Sequence, residues 1–279
     1  MIAPHESLRL RERVIWKDAR CSAGWRDLAC ERAVAMRYDG ETHAVLLATP
    51  CDLHDFAIGF SVTEGLVSGP DEVENIDIVD HGAGIELSMT LAPARRGQLP
   101  ARRRNSAGPS GCGLCGIGSL SEATRPAVAV SATTRFTAGD VSCAIASLAH
   151  AMPIGAATRS VHGAGFWHPG LGLVAVREDV GRHNALDKLV GALAQGDQGL
   201  VGGGIVVLTS RVSIELVQKA ARLGAGVLAA MSAPTTLAVQ YAEASGLTLV
   251  AVARSDGFEV FARADRIAFP GEVGSTADN

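Results

Sequence analysis

Net charge, long apolar runs and paired cysteines are all scarce in this chain of 279 residues. The formal net charge is −4, which gives no bulk attraction to nucleic acid or to an anionic membrane. No apolar run is long enough to span a bilayer. The opening stretch, MIAPHESLRLRERVIW, has no apolar core of the kind a secretory signal needs. The expectation is a cytoplasmic protein with neither nucleic-acid nor membrane partners. Six cysteines are scattered at 21, 30, 51, 112, 115 and 143. Without a secretory context they read as thiols and not as a disulfide framework. A structural zinc site usually takes four protein ligands, and no second C-x-x-C accompanies Cys112 and Cys115. A zinc deaminase wants an H-x-E and a proline before its C-x-x-C. Here H-x-E is missing and Gly111 precedes Cys112. A deaminase-type zinc hydrolase, or a metal-binding module using the pair, is the alternative reading. No metal ligand is assigned.

What the chain does have is that one pair, set in Gly111-Cys112-Gly113-Leu114-Cys115-Gly116. Two thiols at this spacing can bind a soft metal, cycle through a disulfide or carry sulfur. The flanking glycines give the sulfurs little steric cover and allow close approach of a ligand. The segment follows a run rich in Arg, Pro, Gly and Ser from Pro93 to Pro109, which reads as a linker or long loop. Its arginines, Arg95, Arg96, Arg102, Arg103 and Arg104, serve either as a solvated linker or as a basic flap near the cysteines.

Apolar residues make up 47% of the chain, ample for a core. The first part reads as a small α+β domain, residues 1–108. Ala33–Tyr38 and Thr42–Thr49 are predicted strands joined at Asp39-Gly40, a hairpin-turn dipeptide. A helix opens after Pro50 and Asp52 with Leu53, Phe56, Ala57 and Phe60 on one face. Ile85, Leu87, Met89 and Leu91 alternate as in a half-buried strand. The second part, residues 109–279, alternates strand and helix. Val141, Ile145, Leu148 and Met152 mark one helix; Leu186, Leu189, Val190 and Leu193 mark another. Ile205–Leu208, Val227–Ala230 and Leu247–Ala253 are continuous apolar strands, as expected when both sheet faces are covered. The helices between them, Ile214–Leu223 and Leu237–Ala244, close at Gly224 and Gly246. This is a layered α/β domain.

Polar residues collect at one end of those strands: Thr209-Ser210-Arg211, Ser232-Ala233-Pro234-Thr235 and Arg254-Ser255-Asp256-Gly257. Ligands of open α/β sheets bind beyond the carboxyl ends of the strands. Helices starting near Ser213 and Thr235 would turn their free amides to the same rim, which suits phosphate. Arg211 and Arg254 add bidentate donors; Ser213 and Thr235 also suit helix N-caps. Val201-Gly202-Gly203-Gly204 precedes its strand and so fails the context of a phosphate-binding fingerprint. Glu178-Asp179-Val180-Gly181-Arg182-His183-Asn184 is dense in polar groups, continued by Asp187-Lys188. Asn184 or Asp179 could cap the helix there. His162, following Thr158-Arg159-Ser160, is a further candidate.

The runs EDVGRHNALDKLVG, TSRVSIELVQKA, SAPTTLAVQYAE, GCGLCG and TPCDLHDFAIGFSVTEGLV together resemble the FdhD/NarQ family of formate dehydrogenase accessory sulfurtransferases. The likeness runs from about ERAVAMRY to RADRI. It implies a cytidine-deaminase-like α/β/α domain with a smaller N-terminal α+β domain. It also implies a persulfide on Cys112, with Cys115 as the second thiol. Sulfur would come from a cysteine desulfurase and pass to the bis-(molybdopterin guanine dinucleotide) molybdenum cofactor of formate dehydrogenase, for which GDP is a mimic. The family's cofactor loop corresponds to Val252, Ala253, Arg254, Ser255, Asp256 and Gly257, and a homodimer is expected. Two departures stand out. The family pattern Thr-Gly-Gly-x-His has Arg159 and Ser160 in place of its glycines. Asp256 and Gly257 occupy a stretch that often carries a further basic residue.

Overall fold

The computed structural model describes residues 7–97 and 126–270. In chain order the elements are β1 (Leu8–Lys17), β2 (Arg20–Ala29), β3 (Arg32–Tyr38), β4 (Glu41–Ala48), α1 (Leu53–Glu64), β5 (Val73–Asp80) and β6 (Ile85–Leu91). Then follow β7 (Phe136–Thr137), α2 (Ala138–His150), α3 (Pro153–Thr158), β8 (His162–His168), β9 (Gly172–Asp179) and α4 (Arg182–Ala194). The chain continues through β10 (Ile205–Leu208), α5 (Ile214–Leu223), β11 (Val227–Ala230), α6 (Thr236–Ser245), β12 (Thr248–Arg254), β13 (Gly257–Ala262) and β14 (Ile267–Ala268). The chain is mixed α/β, as expected.

The described residues fall into two compact units, neither of them a single stretch. One contains 7–97, 151–164 and 176–196; the other contains 126–150, 165–175 and 197–270. The boundary expected at residue 108 lies outside the described residues. The first unit recruits 151–164 and 176–196 from the second half of the chain because α4 packs on α1.

In the first unit a four-stranded sheet has the order β4-β3-β6-β5, with β3 and β6 parallel and the outer pairs antiparallel. The β3–β4 turn is the Asp39-Gly40 hairpin; both residues have positive φ, 47° and 88°, as a tight turn of this kind requires. Alternation on β6 buries Ile85, Leu87, Met89 and Leu91 beside Val34, Met36 and Tyr38, and α1 seals this face with Phe56, Ala57 and Phe60. Full burial of each large side chain is worth about 1.5–3 kcal/mol. On α1's other side Gly59 and Gly191 let two helix backbones meet. A Cβ on Gly59 would lie 1.7 Å from the Asp187 carbonyl oxygen, and one on Gly191 would lie 1.9 Å from that of Asp55. The ribbon β1–β2 belongs to this unit as a separate two-stranded sheet. Its strands are not among those the sequence predicts; along β1 apolar residues alternate with arginines.

In the second unit β10, β11 and β12 are parallel and β13 runs antiparallel beside β12. Within this unit the strand order is β13-β12-β11-β10, continued by residues 165–168 of β8 and 172–175 of β9. The crossovers β10–α5–β11 and β11–α6–β12 join parallel neighbours, a connection that is right-handed almost without exception. α5 and α6 pack on each other, and α2 packs on β10, β11 and β12. Both crossover helices end at left-handed glycines, Gly224 and Gly246, as the sequence implied. The helix expected to reach Met152 stops at His150. Pro153 forces the break, and Met152 instead precedes α3. The Gly202–Gly204 run closes a 3₁₀ turn ahead of β10, in line with its reading as a turn.

Candidate functional site

The strand-end rim of the second unit is laced together by main-chain bonds. The Met231 amide donates to the Leu208 carbonyl at 2.9 Å, Thr235 to Val212 at 2.9 Å, and Val252 to Ser232 at 3.2 Å. Val212 and Pro234 form a parallel bridge. The three predicted loops are therefore neighbours, and they place the N-termini of α5 and α6 side by side. Thr235 caps α6, its hydroxyl accepting from the Ala238 amide at 3.3 Å. Arg254 is exposed, and its Nη1 donates to the Ala253 carbonyl at 2.9 Å and to the Met231 carbonyl. These bonds hold the guanidinium over the ends of β11 and β12. Val252 has φ 53°, a left-handed backbone that a β-branched residue rarely adopts. It sits where the β12–β13 register slips between Ala251 and Arg254. Strain of this kind costs on the order of 1–3 kcal/mol and concentrates at ligand sites. Ser255 and Asp256 form the exposed turn beyond it, and the exposed Gly257 opens β13.

The polar run 178–188 has a different role within the first unit. Asp179 and Lys188 form an ion pair at 2.7 Å with both side chains wholly buried. Asp179 accepts from the Thr49 amide at 3.0 Å, the Gly181 amide at 2.7 Å and Asn184 Nδ2 at 3.0 Å. Lys188 also donates to the Thr49 carbonyl at 2.9 Å, and Asn184 donates to the Leu47 carbonyl at 2.8 Å. The cluster ties the end of β4 to the start of α4. Neither Asp179 nor Asn184 caps that helix as expected. The N-cap position is Gly181, and the two side chains reach across to β4 instead. Sequence reading missed Cys51 here, whose Sγ lies 3.8 Å from Lys188 Nζ. Burial raises its thiol pKa, and Lys188 offsets only part of that rise. In the same unit Glu178 accepts from the Ile154 and Gly155 amides at 3.0 and 2.7 Å; burial nevertheless raises its carboxyl pKa. His162 is held below the usual imidazole range by burial, then by the charges of Arg182 and His183.

A model of the FdhD/NarQ family matches residues 29–268. The chain belongs to the FdhD/NarQ family. It is 47% identical over 269 residues to the sulfur carrier protein FdhD of Agrobacterium fabrum, covering 96% of this chain and 98% of that one. It is 54% identical over 239 residues to the protein of the same name from Brucella abortus, covering 85% and 88%. A crystal structure from Desulfotalea psychrophila, described as a candidate formate dehydrogenase accessory protein, superposes with a TM-score of 0.72. It is 24% identical and covers 94% of this chain and 99% of that one, a likeness of fold.

For this FdhD/NarQ chain the structure brings Val252, Ala253, Arg254, Ser255, Asp256 and Gly257 to the rim with Arg211, Ser232 and the two helix starts. Cys112 and Cys115 lie outside the described residues. Arg159 is the C-cap of α3 with φ 58°. A glycine fits that left-handed position without a Cβ clash. Among the described residues no helix is long and apolar enough to cross a membrane.

Proposed function

We propose that this protein is a sulfur carrier serving formate dehydrogenase. It receives sulfur on Cys112 from a cysteine desulfurase and passes it to the bis-(molybdopterin guanine dinucleotide) molybdenum cofactor, which is the acceptor substrate. The observation that carries this reading is the near end-to-end match with relatives named sulfur carrier protein FdhD. In the loading step the Cys112 thiolate attacks the outer sulfur of the donor persulfide. A Cys112–sulfur bond forms, the donor's sulfur–sulfur bond breaks, and the donor cysteine leaves as thiolate with no net redox change. Cys115 assists the transfer, or resolves a stalled persulfide: its thiolate attacks Cys112 Sγ, a Cys112–Cys115 disulfide forms, the persulfide sulfur–sulfur bond breaks and the outer sulfur leaves as hydrosulfide.

The acceptor is large and anionic, and the rim fits it. Two helix N-termini present amides, and the Arg254 guanidinium is held above the strand ends. Arg211 is exposed on the same loop system. GDP is the convenient mimic; Arg254→Ala weakens its binding in this reading, and unchanged calorimetric affinity would move the site elsewhere. The protein works in the cytoplasm as a homodimer.

In cells, deletion leaves formate dehydrogenase polypeptide and molybdenum content intact but formate oxidation lost. Wild-type protein restores oxidation and Cys112→Ala does not. If molybdenum disappears together with activity, the protein inserts the cofactor and the sulfur-carrier reading fails.

A further inference from the structure

The ribbon β1–β2 is a two-stranded sheet, and among the described residues neither strand has a second neighbour. Each outer edge therefore presents a row of main-chain N–H and C=O groups without a ladder partner. The register pairs Arg9 with Leu28, Arg11 with Arg26, Arg13 with Gly24, Ile15 with Ser22 and Lys17 with Arg20. Directly opposed residues share a face, so this face carries six cations beside Ile15 and Leu28, and no carboxylate. The carboxylates of the two strands, Glu12 and Asp27, stand on the opposite face. Four of the six cations belong to β1. Arg9, Arg11, Arg13 and Lys17 are exposed, and among the described residues none of them is ion-paired. The chain as a whole is net −4, so this is a local basic patch on an otherwise acidic molecule. The other face of β1 is mostly apolar and open: Leu10 is 58% exposed, Val14 77% and Trp16 70%. The base of the ribbon is fixed, for Arg26 donates to the Thr158 carbonyl at 2.9 Å and the Cys30 amide to the Ser7 carbonyl at 2.8 Å.

We propose that the free edge of β1 takes up an extended segment of a partner protein in which Asp or Glu alternates with apolar residues. Strand addition of this kind draws affinity from main-chain bonds and selectivity from side chains at alternate positions. Arg9, Arg11 and Arg13 recur every second residue, about 6.8 Å apart, and carboxylates on an added strand recur at the same interval. Cross-strand neighbours lie about 4.5–5.5 Å apart at Cβ, within reach of an arginine. The apolar side chains of the same segment would meet Leu10, Val14 and Trp16, so one alternating strand suits both faces of β1. The cations also repel a basic strand, which makes the edge selective as well as open. Nucleic acid and anionic membrane carry negative charge over a wide area and would meet the acidic remainder of the chain together with the ribbon. A single acidic strand meets the ribbon alone.

The proposal is independent of sulfur transfer, since this binding needs neither Cys112 nor a cofactor. The test is fluorescence anisotropy of the full chain with a labelled peptide of alternating glutamate and valine, as long as β1. A peptide of the same composition with all its glutamates in one half is the comparison, and an oligo(dT) of equal charge is the third probe. The wild type is expected to bind the alternating peptide at least tenfold more tightly than either of the others. That affinity should fall as salt rises, because the screening length shrinks from about 10 Å at 0.1 M to about 3 Å at 1 M. Arg9→Glu/Arg11→Glu/Arg13→Glu should weaken binding at least tenfold. Arg9→Gln/Arg11→Gln/Arg13→Gln, which only removes charge at exposed positions, should weaken it in the same direction. Arg135→Glu, at an exposed arginine of the other unit, should leave it unchanged. A wild type that binds neither peptide, or both equally, overturns the proposal, as does a glutamine variant with wild-type affinity. Tighter binding of the oligonucleotide overturns it in favour of a nucleic-acid surface.

Discussion

At the level of single residues, the most exacting contact is the buried pair of Asp179 and Lys188. Removing one partner of such a pair strands a charge, at a cost of about 3–5 kcal/mol. Lys188→Met should therefore lower stability by that amount in urea titrations, and adding Asp179→Asn should recover part of the loss. Arg159 points the other way. It is exposed and holds φ 58°, so Arg159→Gly should raise stability by about 0.5–1 kcal/mol, left-handed strain relieved outweighing backbone entropy lost. The melting temperature reads this directly; a fall would mean that the arginine side chain contributes a contact worth more than the strain. The sequence showed that Asp179, Asn184 and Lys188 were unusual in number. It did not show what they hold, because their partners Leu47 and Thr49 lie more than a hundred positions away. Cys51 was hidden for the same reason.

At the level of elements, period and punctuation made most of the fold legible. β6 alternates along its whole length, Asp39-Gly40 marks the β3–β4 hairpin, and Gly224 and Gly246 stop their helices where the sequence indicated. Two things were not legible. The β1–β2 ribbon carries a strand pattern without a core, and Val252 takes a left-handed backbone inside an apolar run that reads as ordinary strand. The α1–α4 contact is the element-level feature most open to test. Its two glycines sit at backbone–backbone contact, where an added methyl meets a carbonyl oxygen and not a pliable side chain. Gly59→Ala should force the helices apart and cost about 3 kcal/mol or more, at the upper end of overpacking effects. Denaturant unfolding of that variant checks the figure; a loss under about 1 kcal/mol would mean that the helix pair gives way easily.

For the whole molecule, the sequence carried the family and the mixed α/β class. The C-x-x-C and the EDVGRHN, TSRVSIEL and SAPTTLAV runs pointed to the FdhD/NarQ family, and the match over residues 29–268 places the chain there. That the three strand-end loops are neighbours could be read from the strands alone, since polar residues after three successive apolar strands must share one edge of a parallel sheet. The division into units could not, because segments 151–164 and 176–196 join the N-terminal unit through tertiary packing that leaves no local signature. The central claim is that Cys112 carries sulfur. Intact-mass spectrometry after incubation with a cysteine desulfurase and cysteine tests it most directly. The wild type should gain the mass of one sulfur atom, removable by a thiol reductant, and Cys112→Ala should gain none. If Cys112→Ala gains sulfur to the same extent as the wild type, Cys112 is not the carrier.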